Sequence, residues 1–285
     1  VPLTTIATIG ELRAHLDGER AAGRTVGFVP TMGYLHAGHA SLMDAARADA
    51  DVVVTSIFVN PLQFAPNEDL DAYPRDLSGD SALADEHGVD VLFVPTTAEM
   101  YPAPIRTTVS VGGVSQGFEG RARPTHFDGV ATVVSKLFSI VGPCHAYFGE
   151  KDFQQLAVVR QMVADLSMPV TVVGCPTVRE PDGLAMSSRN AYLTPEERAA
   201  APVVHQALLA GRSAIEAGER DPDAVVQAMA AVIAAEPLAE LDYVAVVDAA
   251  TFEVPRPLAG TLRLLAAARF GKARLIDNLG LVPGP

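Results

Sequence analysis

Lysine is scarce in this chain: Lys136, Lys151 and Lys272 are the only three among 285 residues. Against 34 acidic residues stand 21 lysines and arginines, for a formal net charge of -13 and a sequence pI of about 4.9. So little positive charge argues against a nucleic-acid partner, because phosphate backbones are bound by neutralising them with Lys and Arg. A small anionic ligand stays open, since it needs only a local positive field. Cysteine is scarcer still. Cys144 and Cys175 stand alone, which gives neither a disulfide framework nor a metal-ligand spacing and predicts buried free thiols. No apolar run approaches the ~20 residues that span a bilayer, so no membrane partner is expected. Val1 to Arg13 lacks the basic-then-apolar layout of a signal peptide, and a cytoplasmic location is the expectation. Internal repeats and low-complexity linkers are also missing.

What is present is an ordinary globular mixture, 49% hydrophobic and 19% charged, long enough for one large domain or a large and a small one. Val52–Val59 is rich in β-branched types with apolar residues on both alternations, the pattern of a strand covered on both faces. Further strands are expected at Thr25–Pro30, Val89–Val94, His145–Phe148 and Val170–Val173, with helices at Ile9–Ala22, Gly38–Asp49, Leu77–His87, Val130–Val141 and Gln154–Leu166. That alternation predicts a doubly wound parallel α/β sheet, Rossmann-like, with ligands at the carboxyl ends of its strands. Beyond Val178 the composition shifts. Thr194-Pro-Glu-Glu197 is a capping box with Pro at the first helical position, so a helix starts there and runs through an Ala-rich stretch. Asp221-Pro222 opens a second helix, and strands are expected at Leu241–Val247, Leu262–Ala268 and Arg274–Ile276. The chain therefore reads as a larger domain over 1–177 and a smaller C-terminal α+β lid domain over 178–285, with a short hinge near Cys175–Glu180.

The residues suited to chemistry sit at strand ends. In Pro30-Thr-Met32-Gly33-Tyr-Leu-His36-Ala-Gly38-His39 a strand gives way to a helix. A helix N-terminus offers unpaired N–H groups and a partial positive charge, which suits phosphate. His36 and His39, three apart, can both lie near it. Ser56-Ile-Phe-Val-Asn60-Pro-Leu-Gln63-Phe64 extends from the next strand, although Asn60-Pro61 alone reads as a turn. Phe148-Gly149-Glu150-Lys151-Asp152-Phe-Gln-Gln155 places one of the three lysines between a strand and a helix, which favours phosphate over a solvated loop. Gly183-Leu-Ala-Met186-Ser187-Ser188-Arg189-Asn190 offers two hydroxyls and a guanidinium, donors fit for phosphate oxygens.

His36-Ala-Gly-His39 resembles the H-x-G-H signature of the nucleotidyltransferase superfamily, and the longer string resembles the pantothenate synthetase family in particular. The ordered set of strings extends the likeness from Pro30 to Arg274-Leu-Ile-Asp-Asn278. The resemblance implies that a pantoate carboxylate attacks the α-phosphorus of ATP and that β-alanine then takes the acyl group from the adenylate. It implies His36, His39 and Lys151 as catalytic residues. It assigns Met32, Gly33, Gly38, Gly149, Glu150, Asp152, Val178, Met186, Ser187, Ser188 and Arg189 to ATP as well. Asn60, Gln63, Arg123 and Gln155 are implied for pantoate and β-alanine, with Arg123 near the pantoate carboxylate unless it pairs with Glu119 or Asp128 instead. Mg²⁺ and a homodimer through the larger domain follow from the same likeness. Where the family often carries an acidic run after Tyr-Pro-Arg, this chain reads Asp76-Leu-Ser-Gly-Asp80, so Asp80 is the candidate metal ligand. A nucleotide-transfer enzyme of the same superfamily, a non-catalytic binding protein, and a ligase for another hydroxy acid or amine are the alternatives.

Overall fold

Short runs of β-branched residues pair side by side in the first of two compact units of the structure. This is a computed structural model that describes residues 2–65, 68 and 70–284. Val1 and Pro285, the outer limits of the two expected domains, lie outside the described residues. In chain order the first unit contains β1 (Thr4–Ile6), α1 (Ile9–Ala21), β2 (Val26–Thr31), α2 (Ala37–Asp49), β3 (Val52–Ile57), α3 (Leu77–Glu86) and β4 (Val91–Phe93). It continues with α4 (Thr97–Met100), α5 (Phe118–Ala122), α6 (His126–Val141), β5 (Cys144–Gly149), α7 (Phe153–Asp165) and β6 (Val170–Cys175). The six strands form one sheet in the order β1-β4-β3-β2-β5-β6, and each recorded pair is parallel. Strand β3 is buried at every residue but its last, as its two-sided apolar pattern requires. Val29, Met43, Val53, Leu92 and Tyr147 pack in a core between sheet and helices.

The strand order positions the site. From β2 the chain moves outward on one side through β3 and β4, and on the other side β5 pairs with β2 and β6 with β5. Loops leaving adjacent carboxyl ends diverge at such a reversal and leave a crevice. The segments after β2 and β5 both begin there.

The second unit comprises residues 177–285 together with Lys151–Phe153. It contains α8 (Pro195–Ala200), α9 (Val203–Glu216), α10 (Pro222–Ala234), β7 (Glu240–Asp248), β8 (Leu262–Phe270) and β9 (Ala273–Leu281). The strands make an antiparallel sheet in the order β7-β8-β9. Leu208 and Ile215 of α9 and Met229 and Ile233 of α10 bury their side chains with Leu264, Ala266 and Phe270 of β8. The Thr194 capping box forms, with Glu197 returning to the Thr194 N–H. The helix it opens is shorter than expected. It ends at Ala200, and a new helix starts at Val203, because Pro202 has no N–H for a continuing helix to use. Among the described residues no helix is long and apolar enough to cross a membrane, and both cysteines are free and buried.

Candidate active site

The turn after β2 is shaped by a buried carboxylate. Gly33 sits at φ +85, where a Cβ would fall 2.9 Å from Asp80 Oδ2 and from Ile57 Cγ2, so only glycine fits. Tyr34 follows at φ 53. Its N–H donates to Asp80 Oδ2 at 2.9 Å, and the Leu35 N–H donates to Asp80 Oδ1 at 2.6 Å. Burial lifts the Asp80 carboxyl above the ordinary carboxylate range despite these two donors. Asp80, expected as a metal ligand, thus has both oxygens on the backbone that leads to His36. Among the described residues no group of three or more His, Cys, Asp or Glu side chains is arranged to hold a metal ion.

His36 is the N-cap of α2 and forms a reciprocal box with His39. Its Nδ1 accepts from the Gly38 N–H at 3.1 Å, and the His36 N–H donates to His39 Nδ1 at 3.3 Å. An imidazole that accepts through Nδ1 carries its hydrogen on Nε2. The paired rings, with centroids 4.1 Å apart, therefore both have Nε2–H donors at the start of a helix. Gly149 ends β5, the strand next to β2, and Glu150 opens the turn that follows.

Gln63 is the centre of a second group, in the turn after β3. Asn60 is 1% exposed, and its amide is fully engaged. Oδ1 accepts from the Leu62 N–H and the Tyr101 hydroxyl, while Nδ2 donates to Gln63 Oε1 and the Gly129 carbonyl. The Gln63 amide is oriented as a result, with Nε2 directed to Met32 Sδ at 3.1 Å. The Gln63 carbonyl lies 3.2 Å from Arg123 Nη2 and 3.1 Å from His126 Nδ1. Burial, reinforced by the Arg123 charge, pushes His126 down to about 4, so this ring is neutral near pH 7. Arg123 pairs with Glu68 at 2.6 Å rather than with Glu119 or Asp128. Burial would raise the Glu68 carboxyl, but the Arg123 hydrogen bonds and charge hold it below the ordinary range. Gln155 lies half-buried in the first turn of α7. Its neighbour Gln154 is used structurally, bonding the Glu119 N–H and the carbonyls of Val114 and Gly117.

In the second unit, Lys151 and Asp152 lie in a tight turn, with Lys151 Nζ 3.3 Å from Asp152 Oδ1. Val178 and Met186 are paired across a short hairpin, the Met186 N–H donating to the Val178 carbonyl. Ser187 caps the turn over Ser188–Tyr192 by accepting from the Arg189 N–H. Lys151, Ser187 and Asn190 line one small open cleft in this unit, with Leu184, Ile276 and Asp277. Tyr101, Glu68 and Gly129 were not marked by sequence, because each acts on a partner far away in the chain.

The sequence model of the pantoate-beta-alanine ligase family matches residues 4–280. The pantothenate synthetase of Heliobacterium modesticaldum is 55% identical over 274 residues, which is 96% of this chain and 98% of the relative. The crystal structure of pantothenate synthetase from Thermus thermophilus superposes with a TM-score of 0.92 at 52% identity, covering 97% of this chain and 98% of that one. A pantoate-beta-alanine ligase from Francisella tularensis, complexed with beta-gamma ATP and beta-alanine, superposes with a TM-score of 0.80 at 33% identity, covering 97% of each chain. A family match over nearly the whole length, with close relatives and the same fold, places this chain in the pantoate-beta-alanine ligase family, the pantothenate synthetases.

Proposed function

We propose that the chain condenses pantoate with β-alanine to pantothenate through a pantoyl-adenylate, releasing AMP and pyrophosphate. The observation that carries this is the histidine pair of α2, whose Nε2–H donors lie at a helix N-terminus beside the switch point of a parallel sheet. A carboxylate is a poor acyl donor because its leaving group would be oxide. When a pantoate carboxylate oxygen bonds to the α-phosphorus and the bond to pyrophosphate breaks, the acid becomes a mixed anhydride. Charge gathers on phosphoryl oxygens in that transition state, so fixed donors there lower the barrier. The first unit supplies His36, His39 and the amides of Gly38 and Gly149. Lys151, Ser187, Ser188 and Arg189 are the remaining donors in this reading. Met32, Gly33, Glu150, Asp152, Val178 and Met186 shape the nucleotide's surroundings in this reading.

The amine of β-alanine then bonds to the acyl carbon, gives up a proton, and AMP leaves. This step needs positioning and exclusion of water more than acid–base help, because the adenylate is already activated. Gln63 presents an N–H donor for a pantoate oxygen, with Asn60 holding it in that orientation, and Gln155 is the second amide. Arg123 serves the acid from beneath, through the Gln63 carbonyl it supports. The described side chains do not form a cage for Mg²⁺. A divalent ion in this reading arrives on the triphosphate, where it is held mainly by phosphate and water. Assembly as a homodimer through the larger unit, and work in the cytoplasm, belong to the same reading and rest on the family resemblance.

Pyrophosphate exchange tests the order of chemistry. With Mg-ATP and a panel of hydroxy acids but no amine, labelled pyrophosphate should enter ATP when pantoate is present. β-Alanine alone should not support exchange. A requirement for the amine would sink the adenylate route, and exchange with a different acid would reassign the substrate.

A further inference from the structure

The string that closes the family likeness, Arg274 to Asn278, has no part in the chemistry above, yet it contains two of the most buried polar residues of the second unit. Asn278 is 4% exposed and Asp277 5%. The Asn278 amide is bound at both ends: Nδ2 donates to the Lys151 carbonyl at 2.9 Å, and Oδ1 accepts from Arg263 Nε at 2.6 Å. The Arg263 guanidinium lies 3.8 Å from the centroid of the Phe153 ring, a cation–π contact, and Phe153 stacks on Phe252. The Lys151–Phe153 turn is thus gripped at its first residue by a hydrogen bond and at its third by a stacked cation. Asp277 extends the grip. It binds Arg179 through both oxygens, at 2.6 and 2.9 Å, and Arg179 donates to the Gly183 carbonyl at 3.0 Å. Burial would raise the Asp277 carboxyl, but His205 and Arg179 together hold it below the ordinary range.

Buried ion pairs are a weak source of stability, since well-packed apolar residues often serve as well. A fully bonded polar cluster that ends on one backbone carbonyl instead sets the place of what is rooted there. We propose that Asn278, oriented by Arg263, is a positioning residue for the Lys151 ammonium, acting through the Lys151 carbonyl. The inference rests on the assignment of Lys151 to the phosphates. A cation that stabilises a transition state is sensitive to placement, and a shift on the order of 1 Å can cost about 100-fold in rate.

The test is a double-mutant cycle read by pyrophosphate exchange and full turnover. Asn278→Ala should lower kcat by roughly 10- to 100-fold while KM for pantoate stays within about twofold. In a Lys151→Ala background the same change should cost less than about twofold, because residues that act as a unit are not additive. Asn278→Asp, which keeps the shape and the acceptor for Arg263 but loses the donor to Lys151, gives the same reading if the alanine variant does not fold. Equal losses with and without Lys151 would overturn the proposal and return Asn278 to a structural role. A Lys151→Ala enzyme with unchanged turnover would remove both the assignment of Lys151 and the inference built on it.

Discussion

At the scale of single residues, the orientation of one amide decides what the acid would meet. Asn60 has every hydrogen-bonding position filled by protein, so it holds Gln63 with its oxygen inward and its N–H₂ toward Met32. Gln63→Ala should therefore cost about tenfold or more in kcat/KM for pantoate, equivalent to ~1.4 kcal/mol, the worth of a lost hydrogen bond. KM for ATP should change by less than about twofold. Steady-state kinetics with each substrate varied in turn checks this, and an equal rise in KM for ATP would detach Gln63 from the acid. The placement of His36, His39, Gln63 and Lys151 just beyond strands was legible in the sequence because such segments are laid out in short local strings. Their supports were not. Tyr101 reaches Asn60 across 41 positions, Arg123 reaches Glu68 across 55, and Arg179 reaches Asp277 across 98. Spacing along a chain carries no trace of such pairs.

At the scale of elements, helices and strands with a strong period or a cap were readable, and those with neither were not. The capping box at Thr194 and the N-cap at Asp221 opened helices where expected. Strand β9 runs to Leu281 rather than stopping at Ile276, because Asp277 and Asn278 break the apolar pattern yet are buried with partners. Three-residue β1 was not anticipated, since Thr-Thr-Ile has too short a pattern and gains its order from pairing with β4. The contact between α6 and the Pro61–Gln63 turn is also invisible in one dimension. Gly129 lets the helix come so near that an added Cβ would lie 2.3 Å from the Leu62 carbonyl oxygen and 2.6 Å from Gln63 Cα. Backbone must move to admit even one methyl. Gly129→Ala should destabilise the fold by about 1–3 kcal/mol, the usual cost of overpacking, and should impair pantoate use beyond what the lost stability explains. Denaturant midpoints measured beside kinetics below the unfolding transition separate the two effects. A variant of normal stability and normal pantoate kinetics would mean that the turn is not held by this approach.

At the scale of the molecule, acid should act on the two units in sequence. His126 of the first unit titrates near its ordinary 6.5 when unfolded but only at about 4 when folded. Between those values the unfolded chain holds more protons, so stability falls as the pH drops, by roughly 2 kcal/mol at pH 5. Asp277 of the second unit works in the same sense but in a lower window: its folded value lies below the ordinary 3.8. Its contribution is intact above about 3.8 and is lost only as the pH falls further, through the folded value. Hydrogen exchange followed from pH 7 to pH 4, corrected for the intrinsic rate, should show α6 and the Pro61–Gln63 turn loosening before β8 and β9. Loosening of both units together, or of the second first, would show that His126 does not set the upper window. The division into units has a further consequence for recombination between relatives. The chain passes from one unit to the other at Glu150–Lys151, back at Phe153–Gln154, and across again at Pro176–Thr177. A chimera joining residues 1–176 of this chain to the C-terminal part of another ligase would set Lys151 and Phe153 against foreign residues at the positions of Asn278 and Arg263. Crossover points drawn at Pro176–Thr177 alone would separate the lysine from its anchor, so the three-residue turn must travel with the C-terminal segment and not with the sequence that surrounds it.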